Sequence, residues 1–300
     1  MTTKKRLHIR SRKNARIRLP KKHSEKKFKV KKVKKPLFHP TELLLIHDSE
    51  KNASKALRAI PKNIIQKTVG ILTENFILID NLANRIKISN EQLPEIYSRL
   101  EKIAAFLKIP VPKIYLEMNV IPKSTVNGIE TPNIILTSAL IEMLSLDEIE
   151  TELAHCCGHI FLNHYYYQTI ADAITKLGLG LVGSVLYYPF SYWKNCIEFS
   201  ADRVAAIYCK SSEPVKQVLL KYAGITDKIR NVINEDLIFE QAEVIHQHSK
   251  SNEVFAKLSG KSPILRIFEL ERWTKTEEFN EVISYFENDR QFPLEEFKIL

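Results

Sequence analysis

The run Leu153-Ala-His155-Cys156-Cys157-Gly158-His159 narrows the possible folds more than any other stretch of this 300-residue chain. Two histidines four residues apart on a helix share a face, so both imidazoles can reach one metal ion. That pairing demands a helix through the segment and a second element to bring further ligands. Thirty-nine residues after His159 stands Glu198-Phe-Ser-Ala-Asp202, again in a helical pattern. Glu198 can supply a third ligand. Asp202, one turn on, can accept the free ring N–H of a ligating histidine and fix its tautomer. A lone His-x-x-x-His occurs on many helices that hold no metal; the Glu-x-x-x-Asp partner moves the reading toward one.

The other thiols and imidazoles carry less. Cys156 follows His155 directly and is turned about 100° from it on a helix, so it reads as a small core residue, with a redox-sensitive thiol or an extra ligand as lesser options. Cys157, Cys196 and Cys209 have no paired metal-ligand spacing. His246 and His248 lie two apart on a helical pattern, hence on different faces, and read as surface residues.

Around this centre the chain alternates short strands and helices. Leu93-Pro94-Glu95-Ile96-Tyr97 opens a helix with Ile96, Leu100, Ile103, Ala104 and Leu107 on one face. Residues 113–120 and 133–137 read as strands, the second following a turn at Asn127-Gly128. Ser138 is the expected N-cap of a short helix over 139–145. Ser145, with Glu148 three residues later, forms a capping-box signature for a helix from about 146 to 168. From 195 onward nearly everything is helical in pattern, and no internal repeat is visible. Residues 177–193 carry no charge but include three glycines and Pro189, and they fall short of the roughly 20 apolar residues of a span. A buried or hairpin segment is expected there, with an interfacial membrane contact second.

Charge divides the chain in two. Residues 1–37 hold 17 Lys and Arg against one acid, Glu25. Subtracting these from the chain's 45 basic and 35 acidic residues leaves 28 and 34, a net of −6 for residues 38–300. A basic block with so little apolar periodicity is expected to be disordered when free. Its reading is a polyanion-binding tail, for nucleic acid or an acidic membrane surface. A transit peptide fits less well, since the block is mostly lysine with few serines. Four cysteines, two of them adjacent, make no disulfide framework. With no apolar h-region near the start, the expected location is intracellular, in the cytoplasm or an organelle interior, with peripheral membrane contact as an option.

Several segments together resemble the zinc metallopeptidase family of the CAAX prenyl protease and HtpX, in its shorter bacterial form. They are Pro132-Asn-Ile-Ile-Leu-Thr-Ser138, Leu144-Ser145-Leu-Asp-Glu-Ile149, Gly158-His159 with His164, Trp193…Glu198-Phe-Ser-Ala-Asp202-Arg203, Leu219-Leu-Lys-Tyr-Ala-Gly224 and Arg266-Ile-Phe-Glu-Leu-Glu-Arg-Trp273. The resemblance covers about residues 85–275. It implies a gluzincin: an α+β, mostly helical, zincin-like domain over 38–300, with a small sheet packed against the zinc helix. It also implies Zn2+ at His155, His159 and Glu198, with Asp202 behind a ligand.

The departures from the family pattern are on the substrate side. His-Glu-x-x-His places a glutamate where it takes a proton from metal-bound water; here that position is Cys156, whose short side chain falls short of the water. Such acid–base help is worth about 10²–10⁴-fold. The family's edge-strand Asn-Ala aligns with Lys123-Ser124, and its later His-Pro with Gly260-Lys261. Glu152, three residues before His155, is the one substitute base in sight, although a helix-face or dipole role is more ordinary for it. The expectation is a pseudopeptidase acting as a binding or scaffold protein, with an anionic partner on the tail and a protein partner as a further option. The alternative is an active zinc metalloendopeptidase with an unusual base and a peptide substrate.

Overall fold

The computed structural model describes residues 45–57, 74–176, 180–251 and 261–287, all within the unit Phe38–Leu300. The basic tail, residues 177–179 and Gly260 lie outside the described residues. The first helices are α1 (Asp48–Leu57) and α2 (Glu74–Asn84), followed by the short strand β1 (Ile86–Ile88). Helix α3 (Pro94–Phe106) starts on Pro94, where the missing N–H costs nothing, and buries Ile96, Leu100, Ile103 and Ala104 as their spacing predicts.

Strands β2 (Lys113–Glu117), β3 (Ser124–Asn127) and β4 (Asn133–Thr137) complete a four-stranded sheet of order β1-β2-β4-β3. The parallel pair β2/β4 sets Ile114 beside Ile134 and Leu116 beside Leu136, and both outer pairs are antiparallel. Strand β2 ends at Glu117, short of the expected 120, because Met118 and Val120 stand in solvent. Strands β1 and β3 carry no signal in the sequence, being three and four residues long. The turn at Asn127-Gly128 is as expected. Gly128 has φ 144°, and a Cβ there would lie 2.1 Å from the Thr131 carbonyl oxygen, so only glycine fits.

Two expected helix boundaries shift. Thr137, not Ser138, caps α4 (Ser138–Met143): its Oγ1 accepts the Leu140 N–H at 3.3 Å, while Ser138 Oγ turns to the Asn119 carbonyl. Helix α5 (Leu146–Phe161) begins with the expected capping box. Ser145 Oγ accepts the Glu148 N–H, and the Glu148 carboxylate accepts the Ser145 N–H at 2.7 Å. It does not run to 168, because Asn163 adopts a left-handed φ of 59° and a new helix, α6 (His164–Lys176), starts directly after.

Helix α7 (Gly180–Cys209) is 30 residues long and takes in 180–193, so most of the uncharged segment is the first part of one helix. Among the described residues no helix is long and apolar enough to cross a membrane. Helices α8 (Glu213–Tyr222), α9 (Glu235–Ser251), α10 (Pro263–Thr274) and α11 (Glu277–Glu287) follow. His246 is not a free surface residue: its Nδ1 lies 2.7 Å from Glu269 and ties α9 to α10, while His248 is exposed.

The result is an α+β domain, mostly helical, with its small sheet meeting α5 through β3. Helix α5 packs along α7, and Gly158 makes the approach close. A Cβ at Gly158 would stand 3.0 Å from both the Ala201 carbonyl oxygen and Val204 Cβ. That contact brings Glu198 and Asp202 of α7 opposite the histidines of α5.

Candidate metal centre

His155 and His159 are buried on the face of α5 that meets α7, with their Nε2 atoms 3.1 Å apart. Glu198 reaches across from α7, its Oε2 3.5 Å from His155 Nε2 and its Oε1 3.9 Å from His159 Nε2. One ligand atom from each of the three lies within 4.8 Å of the others. Two imidazoles and a carboxylate at these separations form a donor set that could hold one metal ion.

Both imidazoles are tied from behind. His155 Nδ1 lies 2.9 Å from Asp202 Oδ1, and Asp202 in turn accepts Arg266 through Nη2 at 2.6 Å and Nε at 2.7 Å. Arg266 also faces Glu198 at 3.3 Å. His159 Nδ1 is 3.0 Å from His164 Nδ1, and His164 Nε2 is 2.9 Å from Glu50 Oε1 on α1.

The electrostatics fit a cation. His155 gives its Nδ1–H to Asp202, so once the ring is neutral its Nε2 has a lone pair toward His159. Burial pushes His155 down, yet the hydrogen bonds it donates to Asp202 and Glu198 outweigh it and hold the ring up at about 9. Burial, and then the charge on His155, push His159 well below its ordinary value. Burial favours neutral Glu198 and Asp202, but their histidine and Arg266 neighbours hold both below the usual carboxylate range. Without a metal the two histidines can share a proton; a divalent ion held there would take both lone pairs and the carboxylate.

The substrate side is built differently. Cys156 is wholly buried, and burial followed by the Glu152 charge pushes its thiol well above the ordinary value. Glu152, also buried, accepts Ser124 Oγ at 2.6 Å and the Tyr222 hydroxyl at 3.0 Å. Burial and Glu152 hold Tyr222 in its protonated form. The carboxylate therefore bridges the edge strand β3 to α8. Lys123 and Lys261 are exposed.

Residues 90–260, more than half of the chain, match the sequence model of peptidase family M48. The chain belongs to that family. It is similar to the plastoglobule-localized metallopeptidase 48, chloroplastic, of Arabidopsis thaliana, at 28% identity over 255 residues, 79% of this chain and 74% of that protein. It is also similar to protease HtpX homologues of Pyrococcus furiosus, at 26% over 141 residues, and of Pyrococcus abyssi, at 31% over 122. These matches cover 45% and 40% of this chain, and the chain spans less than half the length of either HtpX homologue (48% and 41%). No solved structure matches the chain significantly. The family match takes in His155, His159, Glu198 and Asp202 but stops short of Glu50 and Arg266.

Three residues of the centre have no local signal. Glu50 is 114 positions from His164 and sits in no motif. Tyr222 and Arg266 are visible in the sequence only as parts of segments that resemble the family, with nothing to assign them a contact.

Proposed function

We propose that this family member binds zinc at His155, His159 and Glu198, has lost proteolysis, and works as a binding or scaffold protein. The donor set supports zinc, which favours imidazole and carboxylate in tetrahedral sites with distances of roughly 2.0–2.2 Å. Zinc bound there would supply Lewis acidity. What carries the loss of activity is Cys156, a buried and protonated thiol at the position where the family's pattern has its glutamate. Glu152 does not fill the gap, since Ser124 and Tyr222 already engage its carboxylate. Ser124, in the edge-strand position of the family's Asn-Ala, spends its hydroxyl on that same bond.

The basic residues 1–37 supply the second half of the reading, a grip on nucleic acid or an acidic lipid surface. The Arabidopsis relative's name places that protein at the plastoglobule, in the chloroplast. Its name supports an intracellular setting for this chain, in the cytoplasm or an organelle interior, and the basic tail is what would give peripheral membrane contact.

Metal analysis of the purified chain should give one zinc per molecule, lost in His155→Ala. Unfolded casein should not be cleaved by the wild type. Cys156→Glu should gain a trace of zinc-dependent turnover, because the changed positions 123–124 and 260–261 remain. Turnover by the unmodified chain that disappears in both His155→Ala and Glu152→Gln would replace this reading with an active endopeptidase using Glu152 as base.

A further inference from the structure

A buried line of hydrogen bonds runs from α1 to the far side of His159. Glu50 is 5% exposed, His164 2% and Ser200 0%. The His47 backbone N–H donates to Ser200 Oγ at 2.9 Å, which leaves the serine hydrogen to donate to Glu50 Oε2. The other carboxylate oxygen, Oε1, faces His164 Nε2 at 2.9 Å. The Trp193 ring stands edge-on to His164 at 5.8 Å and helps to fix its plane.

The polarity of this line follows from its first member. An ionised carboxylate only accepts hydrogen bonds: Glu50 takes the Ser200 hydrogen on Oε2 and faces His164 Nε2 with Oε1. In the neutral ring, His164 then carries its proton on Nε2 and has a lone pair on Nδ1. That lone pair lies 3.0 Å from His159 Nδ1, which must donate. A neutral imidazole with its proton on Nδ1 has a lone pair on Nε2, and His159 Nε2 is the atom that faces His155 and Glu198.

We propose that Glu50 is a positioning residue for the metal site, acting through His164 to keep the proton of His159 on Nδ1 and its Nε2 free for a cation. This rests on the metal-binding reading above. Asp202 orients His155 directly, whereas Glu50 orients His159 through one intervening imidazole. The two acceptors come from different helices, α7 and α1, and converge on one pair of Nε2 atoms.

The test uses the full chain and Zn2+ itself. Zinc affinity, measured by competition with a chromophoric chelator, should fall about 10–100-fold in Glu50→Gln. That substitution keeps the shape but lets an N–H face His164. Glu50→Asp, which keeps the charge, should recover part of the loss. Long-range proton–nitrogen correlation spectra of the imidazoles should show His159 protonated on Nδ1 and His164 on Nε2 in the wild type, with this preference lost in Glu50→Gln. A purely structural role for Glu50 would leave the wild-type protonation pattern unconstrained. Wild-type zinc affinity in Glu50→Gln, or a wild-type His164 protonated on Nδ1, would overturn the proposal. If the wild type takes up no zinc, the metal reading falls, and the ring spectra of the metal-free chain alone decide the relay.

Discussion

Arg266 holds apart two carboxylates that face the same buried space. Its guanidinium donates twice to Asp202 and approaches Glu198 at 3.3 Å. Burial disfavours its charge, yet Asp202 and then Glu198 raise its pKa further above the ordinary value. Removing one partner of such a buried pair leaves the other charge uncompensated. Arg266→Gln should therefore lower the stability of the metal-free chain by about 3–5 kcal/mol, read from urea unfolding. Added zinc should recover part of that loss, because a cation held by His155, His159 and Glu198 would offset the Glu198 charge. A loss below about 1 kcal/mol, far under the range for broken buried pairs, would mean that the two carboxylates do not depend on it. The residues at this centre were unequally legible. His155, His159 and Glu198 could be read because helix periodicity converts a spacing of four into a shared face. Arg266 and Glu50 could not, because nothing local in the sequence says which distant helix will deliver the compensating charge.

At the scale of elements, the break between α5 and α6 matters most for the site. On a continuous helix His164, five positions after His159, would point about 140° away from it. Instead Asn163 takes φ 59°, and the following turn starts α6 with His164 against His159. Asparagine tolerates this left-handed conformation better than other residues that carry a Cβ. Asn163→Ala should cost about 1–2 kcal/mol in urea unfolding, whereas Asn163→Gly should stay within about 0.5 kcal/mol of wild type. The alanine variant should also bind zinc more weakly, since the same turn places His164. An alanine variant as stable as the glycine one would show that the turn is not held by φ at this residue. A helix through to 168 meets no stop in the sequence other than Asn163, because apolar spacing continues across the break. Strands show the converse. The apolar runs Ile114-Tyr115-Leu116 of β2 and Ile134-Ile135-Leu136 of β4 are legible, but β3 offers one buried residue, Val126, in four, and its place is fixed by pairing with β4 rather than by its own pattern.

For the whole molecule, the charge is distributed against the site. Residues 38–300 carry a net −6, including the buried carboxylates around the metal centre, and residues 1–37 carry a net +16. The body should be indifferent to polyanions or repelled by them, so binding to RNA or to anionic vesicles should reside almost wholly in the tail. Charge, unlike a helix face, specifies no geometry, so the partner proposed for the tail is a class, polyanions, and not one molecule. Competition can separate the members of that class: heparin would displace both kinds, while nuclease treatment of a cell extract would release only a nucleic-acid-bound pool. Affinity of the full chain should fall steeply with salt, by about 0.9 in logarithmic slope for each phosphate neutralised on duplex DNA and about 0.7 on single strands. A truncated chain beginning at His39 should lose this binding while keeping its zinc, because none of the ligands or the groups behind them lies before residue 47. Equal binding by the two chains, or binding by neither at low salt, would leave the tail as a solvated extension with no anionic partner.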